Sequence, residues 1–356
     1  MHKIFFKPID MITAERKNKI VANWIFLGVA MLIIQVLLGG ITRLTGSGLS
    51  ITEWKPIMGA MPPLNETQWL QAFEQYKQIA QYKYLNNHFT LGDFKLIFFW
   101  EWFHRLWARL IGLAFLFPFI YFIWKGYFKK WMITPLIILF LLGALQGAIG
   151  WIMVQSGLND TDTYVSHIRL SVHFVSAMIL TGYALIVGLK LIIPKNDFIK
   201  NSSLKISMIG ITILLVVQLF YGAFMAGLKA AASAPTWPTI NGSFFPYKYG
   251  SILYDRITIH FIHRTLAYIL VIAVIFWWLK AKKINSSSFF NKIKNIPLIL
   301  VLIQTSLGIL SVLTSPKIVL GSFGIFEWFA VLHQFIGMLL FLSMIAVVYV
   351  LSRSEK

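Results

Sequence analysis

Apolar residues along the chain gather into eight long runs, near residues 20–41, 96–124, 131–154, 168–193, 206–228, 257–279, 296–314 and 326–351, separated by shorter polar stretches. A helix needs roughly 20 apolar residues to cross a hydrocarbon core of about 30 Å, and every run is about that long. Backbone polar groups find no partner in lipid, so such runs are expected to be helices that satisfy their own N–H and C=O groups. The pattern predicts an all-α polytopic membrane protein with eight transmembrane helices. Within the first long connection (42–95), LNETQWLQAFEQYKQIAQYKYLNN at 64–87 is polar yet helix-prone.

Composition agrees. Of 356 residues, 58% are hydrophobic and 13% charged, against about 25% charged in a typical soluble domain. The formal net charge of +19 would suit nucleic acid, but the lysines are not interleaved with surface aromatics, and nucleic acid is not expected as a partner. Instead 19 of the 32 Lys and Arg fall in 1–19, 125–130, 190–205, 280–294 and 353–356, on one side of the predicted spans. The positive-inside rule then predicts cytoplasmic N- and C-termini and an outward-facing first loop. The nineteen-residue basic leader, with Asp10 and Glu15, reads as neither a cleavable signal nor a transit peptide. Cysteine is absent, which removes disulfides, thiolate metal sites and iron–sulfur ligation.

The two halves of the chain are similar. QVLLGG (35–40) answers to QLFYGA (218–223) and WKPIMG (54–59) to WPTING (237–242), both at an offset of 183. Beyond the first loop, His104-Arg105 answers to His263-Arg264, QGAIG (146–150) to QTSLG (304–308), and His173 to His333, at offsets of 158 to 160. The drop of about 24 residues places an insertion at 64–87. Four helices per half is an even number, so both halves enter the membrane in the same sense, as parallel repeats do. The expected layout is a cytoplasmic segment 1–19, an N-terminal four-helix bundle 20–193, a linker 194–205, a C-terminal four-helix bundle 206–351 and a tail 352–356.

Eight histidines occur. His2 and His88 lie in polar segments, whereas His104, His167, His173, His260, His263 and His333 cluster at the outer ends of the even-numbered spans. A lone intramembrane histidine is commonly a hydrogen-bonded packing residue. Duplication points further, to the pairs His104 with His173 and His263 with His333. Two imidazoles facing each other across a bundle suit bis-axial ligation of haem iron. Zinc usually takes three or four protein ligands, and the nearby carboxylate, Glu101, is not duplicated: His260 stands in its place. His260 is a substitute-ligand or supporting candidate. Arg105 and Arg264 suit either haem propionates near the outer face or snorkelling to the interface, and Arg169 and Arg256 invite the same two readings.

GGITRLTGSGLSITEWKPIMGAMPPLNETQW (39–69), EWFHR (101–105), RLSVHF (169–174), AGLKAAASAPTWPTING (226–242), FIHRTLAY (261–268) and LHQFIGM (332–338) together resemble the haem A synthase family over nearly the whole chain, in a cysteine-free branch with a long first loop. The resemblance implies an oxidoreductase of a bacterial inner membrane that converts the C8 methyl group of haem O to a formyl group by successive hydroxylations, with oxygen from water. It implies a resident haem b on His263 and His333, haem O flanked by His104 and His173, and an essential carboxylate at Glu101. Expected partners are the haem O substrate, haem O synthase, cytochrome oxidase assembly factors, an unidentified electron acceptor, membrane lipid and a second copy of the chain. Two other readings of the residues stay open: a diheme b-type electron carrier, which needs no Glu101, and a transporter with parallel repeats, whose intramembrane charges would mark a substrate path.

Overall fold

A computed structural model describes residues 9–54, 58–284, 287–318 and 323–352. Parts of the predicted termini (1–8 and 353–356) and of the WKPIMG motif (55–57) lie outside the described residues. The described chain is helical, with a single isolated β-bridge between Ile240 and Ser243. Eight helices are long and apolar enough to cross a membrane. They are α1 (Ile9–Leu44), α3 (Leu91–Trp124), α4 (Lys130–Gln155), α5 (His167–Ile192), α6 (Ser202–Gly227), α7 (Arg256–Ala281), α9 (Ile296–Thr314) and α10 (Ile325–Val350), with short helices α2 (Glu66–Tyr76) and α8 (Ser288–Ile293) between them.

Helix starts follow local capping chemistry. Before α3, the Thr90 hydroxyl accepts from Asp93 N–H and the Asp93 carboxylate accepts from Thr90 N–H, satisfying donors that a helix start leaves open. Asn65, Ser166, Asn201 and Asp255 cap α2, α5, α6 and α7 in the simpler one-sided way. Two helices outrun their predicted spans: α1 begins at Ile9 rather than residue 20, and α3 at Leu91 rather than 96. Both extensions are polar turns that keep helical hydrogen bonding past the apolar stretch; on α1, Lys19 and Glu15 form an i,i+4 ion pair at 3.6 Å.

In the N-terminal half, α1 packs on α3 and α5, and α4 packs on α3 and α5. In the C-terminal half, α6 packs on α7 and α10, and α9 on the same two. The halves meet where α5 lies on α6 and α10 and α1 lies on α10. One apolar core crosses this seam, joining Val36 of α1 and Val175 and Met178 of α5 to Met208, Leu215, Met338 and Met344 of the C-terminal half. Gln334 of α10 also donates from Nε2 to the Val36 carbonyl at 2.8 Å. The periphery is inverted: Phe117 and Ile120 on α3 and Phe140 and Leu141 on α4 are exposed, as a lipid-facing surface requires.

The inserted segment is an ordered cover on the N-terminal half. Phe73 of α2 stacks on Phe94 at 5.0 Å, and Tyr76 is fully buried beside it. Downstream, Ala80 N–H donates to the Asn159 carbonyl at 2.8 Å, Lys83 pairs with Asp160 at 2.8 Å, and Gln81 Nε2 reaches the Gly46 carbonyl at 3.3 Å.

Candidate functional site

All eight long helices line one continuous, mainly apolar cavity of about 1020 Å³, at the top of the roughly 300–1,000 Å³ usual for small-molecule sites. His104, His173, His263 and His333 all face it. In the C-terminal half the rings of His263 and His333 are 6.3 Å apart between centroids and inclined at 75°. A metal atom shared by two imidazoles sits roughly 2 Å from each nitrogen, and each nitrogen lies about 1 Å from its ring centre. The two rings are therefore spaced for one metal between them. In the N-terminal half His104 and His173 lie within electrostatic reach of each other.

Each of the four histidines is held by the same small device, a glutamine and a glycine four residues apart on a neighbouring helix. Gln35 and Gly39 on α1 hold His104: Gln35 Nε2 donates to ring Nε2 at 3.1 Å and to the carbonyl at 3.3 Å, and a Cβ at Gly39 would lie 3.2 Å from ring Cε1. Gln146 and Gly150 on α4 hold His173, with the amide donating to its carbonyl at 2.8 Å and a Cβ at Gly150 only 2.8 Å from Cε1. Gln218 and Gly222 on α6 hold His263 through a 3.0 Å bond to its carbonyl. On α9 the sense reverses: His333 Nδ1 donates to the Gln304 carbonyl at 3.0 Å, while a Cβ at Gly308 would lie 2.9 Å from Cε1. The signal, Gln-x-x-x-Gly, stands four times in the sequence. Comparing the halves brings out the motifs; the histidine contacts need the packed helices.

A haem between each pair fits these residues. The buried amide oxygens of Gln35, Gln218 and Gln304, and Nδ1 of His263, have no hydrogen-bond partner among the described residues. An imidazole that presents Nε2 to a metal needs an acceptor for its Nδ1–H, and for His333 the Gln304 backbone carbonyl is that acceptor. No cluster of three or more His, Asp or Glu with metal-ligand geometry occurs among the described residues, so the histidine pairs do not extend into a zinc-type site.

Glu101 is buried, at 2% exposure. Its Oε1 accepts from Arg105 at 2.6 Å, and its Oε2 from the Ser50 hydroxyl at 2.7 Å and Ile51 N–H at 2.9 Å. Arg105 then donates to the carbonyls of Ile51 and Glu53 in the loop after α1. In the other half, His260 Nε2 accepts from Arg264 Nε at 3.2 Å, and Arg264 donates to the carbonyls of Ala234 and Thr239. Glu101 and His260 thus do the same mechanical work, each holding the arginine that clamps the loop of its own half onto the histidine helix. Arg169 bonds the Ile152 carbonyl. His167 donates from Nε2 to the Leu253 carbonyl at 2.7 Å and packs edge-on to Phe224 and Tyr254, bracing the seam. At the offset of 160 it answers to Glu327, a buried carboxylate that caps α10 by accepting from Gly324 N–H at 2.9 Å. Each half therefore carries one Glu and one His at these two places, exchanged. Trp54 and Trp237, in the loops after α1 and α6, also reach the cavity; Trp54 stacks on Trp151 at 5.1 Å and Trp237 donates to the Tyr268 hydroxyl.

Fold and site together define a multi-pass membrane protein with two half-buried histidine pairs lining one cavity. The chain belongs to the COX15-CtaA family, described as cytochrome oxidase assembly protein, which it matches over residues 22–345. It is similar to the heme A synthase of Flavobacterium psychrophilum, at 38% identity over 96% of this chain and 100% of that protein. It is similar also to the heme A synthase of Flavobacterium johnsoniae (36% identity, 96% of this chain and 100% of that protein) and to that of Rhodopseudomonas palustris strain BisB5 (43%, 72% of each).

Proposed function

We propose that the protein is a haem A synthase, oxidising the C8 methyl group of haem O to a formyl group by two hydroxylations. The observation that carries this reading is the set of four histidines, each steadied by a Gln-x-x-x-Gly segment around one cavity, in a chain that its heme A synthase relatives match end to end. Over the reaction the methyl carbon and one water become a formyl group, releasing four electrons and four protons; the electrons leave to an external one-electron acceptor. Haem b, held by His263 and His333, supplies a one-electron redox centre when bound. His104 and His173 flank the haem O substrate.

The chain's own part is positioning and proton handling. Gln35 and Gln146 fix the helices and ring orientations around the substrate site, and the apolar walls exclude bulk water, which strengthens every charge inside. Glu101 reaches the cavity with Oε1 engaged, among the described residues, only by Arg105, so that oxygen keeps a lone pair for a proton or a water O–H. In this reading it takes the proton of the attacking water and opposes positive charge at the oxidised carbon. His260, which replaces it in the other half, offers no carboxylate.

Expression in cells that make haem O but no haem A tests the proposal: extracted haems, separated chromatographically, should include haem A. Haem O alone, with the protein in the membrane, would sink it. Glu101→Gln should retain the haem spectrum and lose hydroxylated and formyl products by roughly 10²-fold or more, the usual weight of a general base. Undiminished product would leave Glu101 with only its clamp.

A further inference from the structure

Two cations at one end of the seam form no ion pair among the described residues. Lys229, just beyond α6, has a left-handed backbone, φ +53°, a conformation unfavourable for any residue with a Cβ. At the offset of 183 the other half has Gly46 at φ +70° in this place, so the C-terminal half sets a lysine where the fold suits glycine. The Lys229 ammonium lies 3.6 Å from the ring centre of Tyr164, across the seam, and makes no hydrogen bond among the described residues. Arg43, in the last turn of α1, makes no guanidinium hydrogen bond among them either. Both side chains line the cavity. Burial, with Arg43 and Arg256 nearby, pulls the Lys229 pKa down to about 8.

The neighbouring acids do not settle these charges. Glu327 attracts Arg43 but also caps α10, and Asp255 is taken up by the Thr258 N–H and hydroxyl at 2.7 and 2.6 Å. Arg105 and Arg264, the arginines beside the histidines, are engaged with Glu101, His260 and loop carbonyls. A tetrapyrrole in the cavity still brings carboxylates that must be met, because a buried unpaired carboxylate is costly.

We infer that Lys229 and Arg43 form a carboxylate-binding site at the seam, holding an acidic side chain of a tetrapyrrole bound between the histidines. The inference rests on the haem reading above.

The test uses the full chain produced in haem-depleted cells and titrated, by absorbance, with iron protoporphyrin IX and with its dimethyl ester. A charge-assisted hydrogen bond contributes about 1.5–3 kcal/mol, so the native chain should prefer the diacid about tenfold or more. Lys229→Gly keeps a residue suited to the left-handed backbone and should bring that preference close to one; Lys229→Arg should retain it. An unchanged preference in Lys229→Gly overturns the inference. So does loss of co-purifying phospholipid phosphorus in that variant with the preference intact, which would give the cations to a lipid headgroup. A native chain that binds neither porphyrin overturns the haem reading, and the inference with it.

Discussion

The glycines that face His173 and His333 leave no room for a side chain. At Gly150 and Gly308 a methyl group would lie 2.8 and 2.9 Å from an imidazole carbon, closer than packed atoms sit, and the imidazole belongs to a ring whose position is its function. On the proposed function, Gly308→Ala should therefore displace His333 and lower the haem absorbance several-fold per protein. Gly210→Ala, where nothing lies within 4 Å of the added carbon, should be neutral or slightly stabilising because alanine favours helix by about 1 kcal/mol. Equal spectra for the two variants would detach the glycines from the site. The glutamines act differently: Gln218→Leu removes the donor to the His263 carbonyl but keeps bulk, and its expected signature is a shifted or broadened haem spectrum at unchanged protein yield.

At the scale of elements, hydropathy located every span, because the lipid core dictates a run of apolar residues whatever follows. It placed helix ends less well, since a helix does not stop where the bilayer does. The start of α3 at Leu91 was nevertheless legible in Thr90-Leu-Gly-Asp93, a capping box that a hydropathy window averages away. Matching the halves brought out the histidine pairs and Gln35, Gln146, Gln218 and Gln304 as repeat markers, but not their contacts: a glutamine on one helix and a histidine on the next meet only through packing. Arg105 and Arg264 were legible as cations needing acceptors, and the acceptors, loop carbonyls, have no sequence signature. The insertion makes the first half unlike the second, and its grip is aromatic and polar together: Tyr76 donates to Gln81 Oε1 at 2.9 Å and accepts from Asn86 Nδ2 at 2.7 Å. Tyr76→Phe removes both bonds and leaves two buried or half-buried amides short of a partner, a cost of about 1–3 kcal/mol. Limited proteolysis between 61 and 66 should then run several-fold faster than in the native chain, and an unchanged rate would show that α2 is not held by this network.

Across the whole molecule, the seam decides whether the chain is two proteins or one. The helices that meet there are the most buried of the eight: half of the most apolar window of α5 and 44% of that of α10 are buried, against 6% for α3 and for α4. Val175 and Met178 of α5 and Met338 and Met344 of α10 are 3% exposed or less, and Met178→Ala alone should cost about 2–5 kcal/mol. Between the halves, the linker is itself docked, with Ile199 N–H donating to the Val350 carbonyl at 3.0 Å and the Ser287 hydroxyl to the Asp197 carbonyl at 3.2 Å. Lipid tails are as apolar as the seam, so packing and the buried polar contacts, more than hydrophobicity, must hold it. Residues 1–200 and 201–356 produced as two chains in one cell should accordingly co-purify in detergent with the haem content of the intact protein. Produced singly, each should give little haem-loaded protein, because Gln334, His167 and the Lys229–Arg43 pair all work across the seam. Full haem loading of either chain alone would show instead that each histidine pair is built by its own half, with the seam serving only to bring the two sites together.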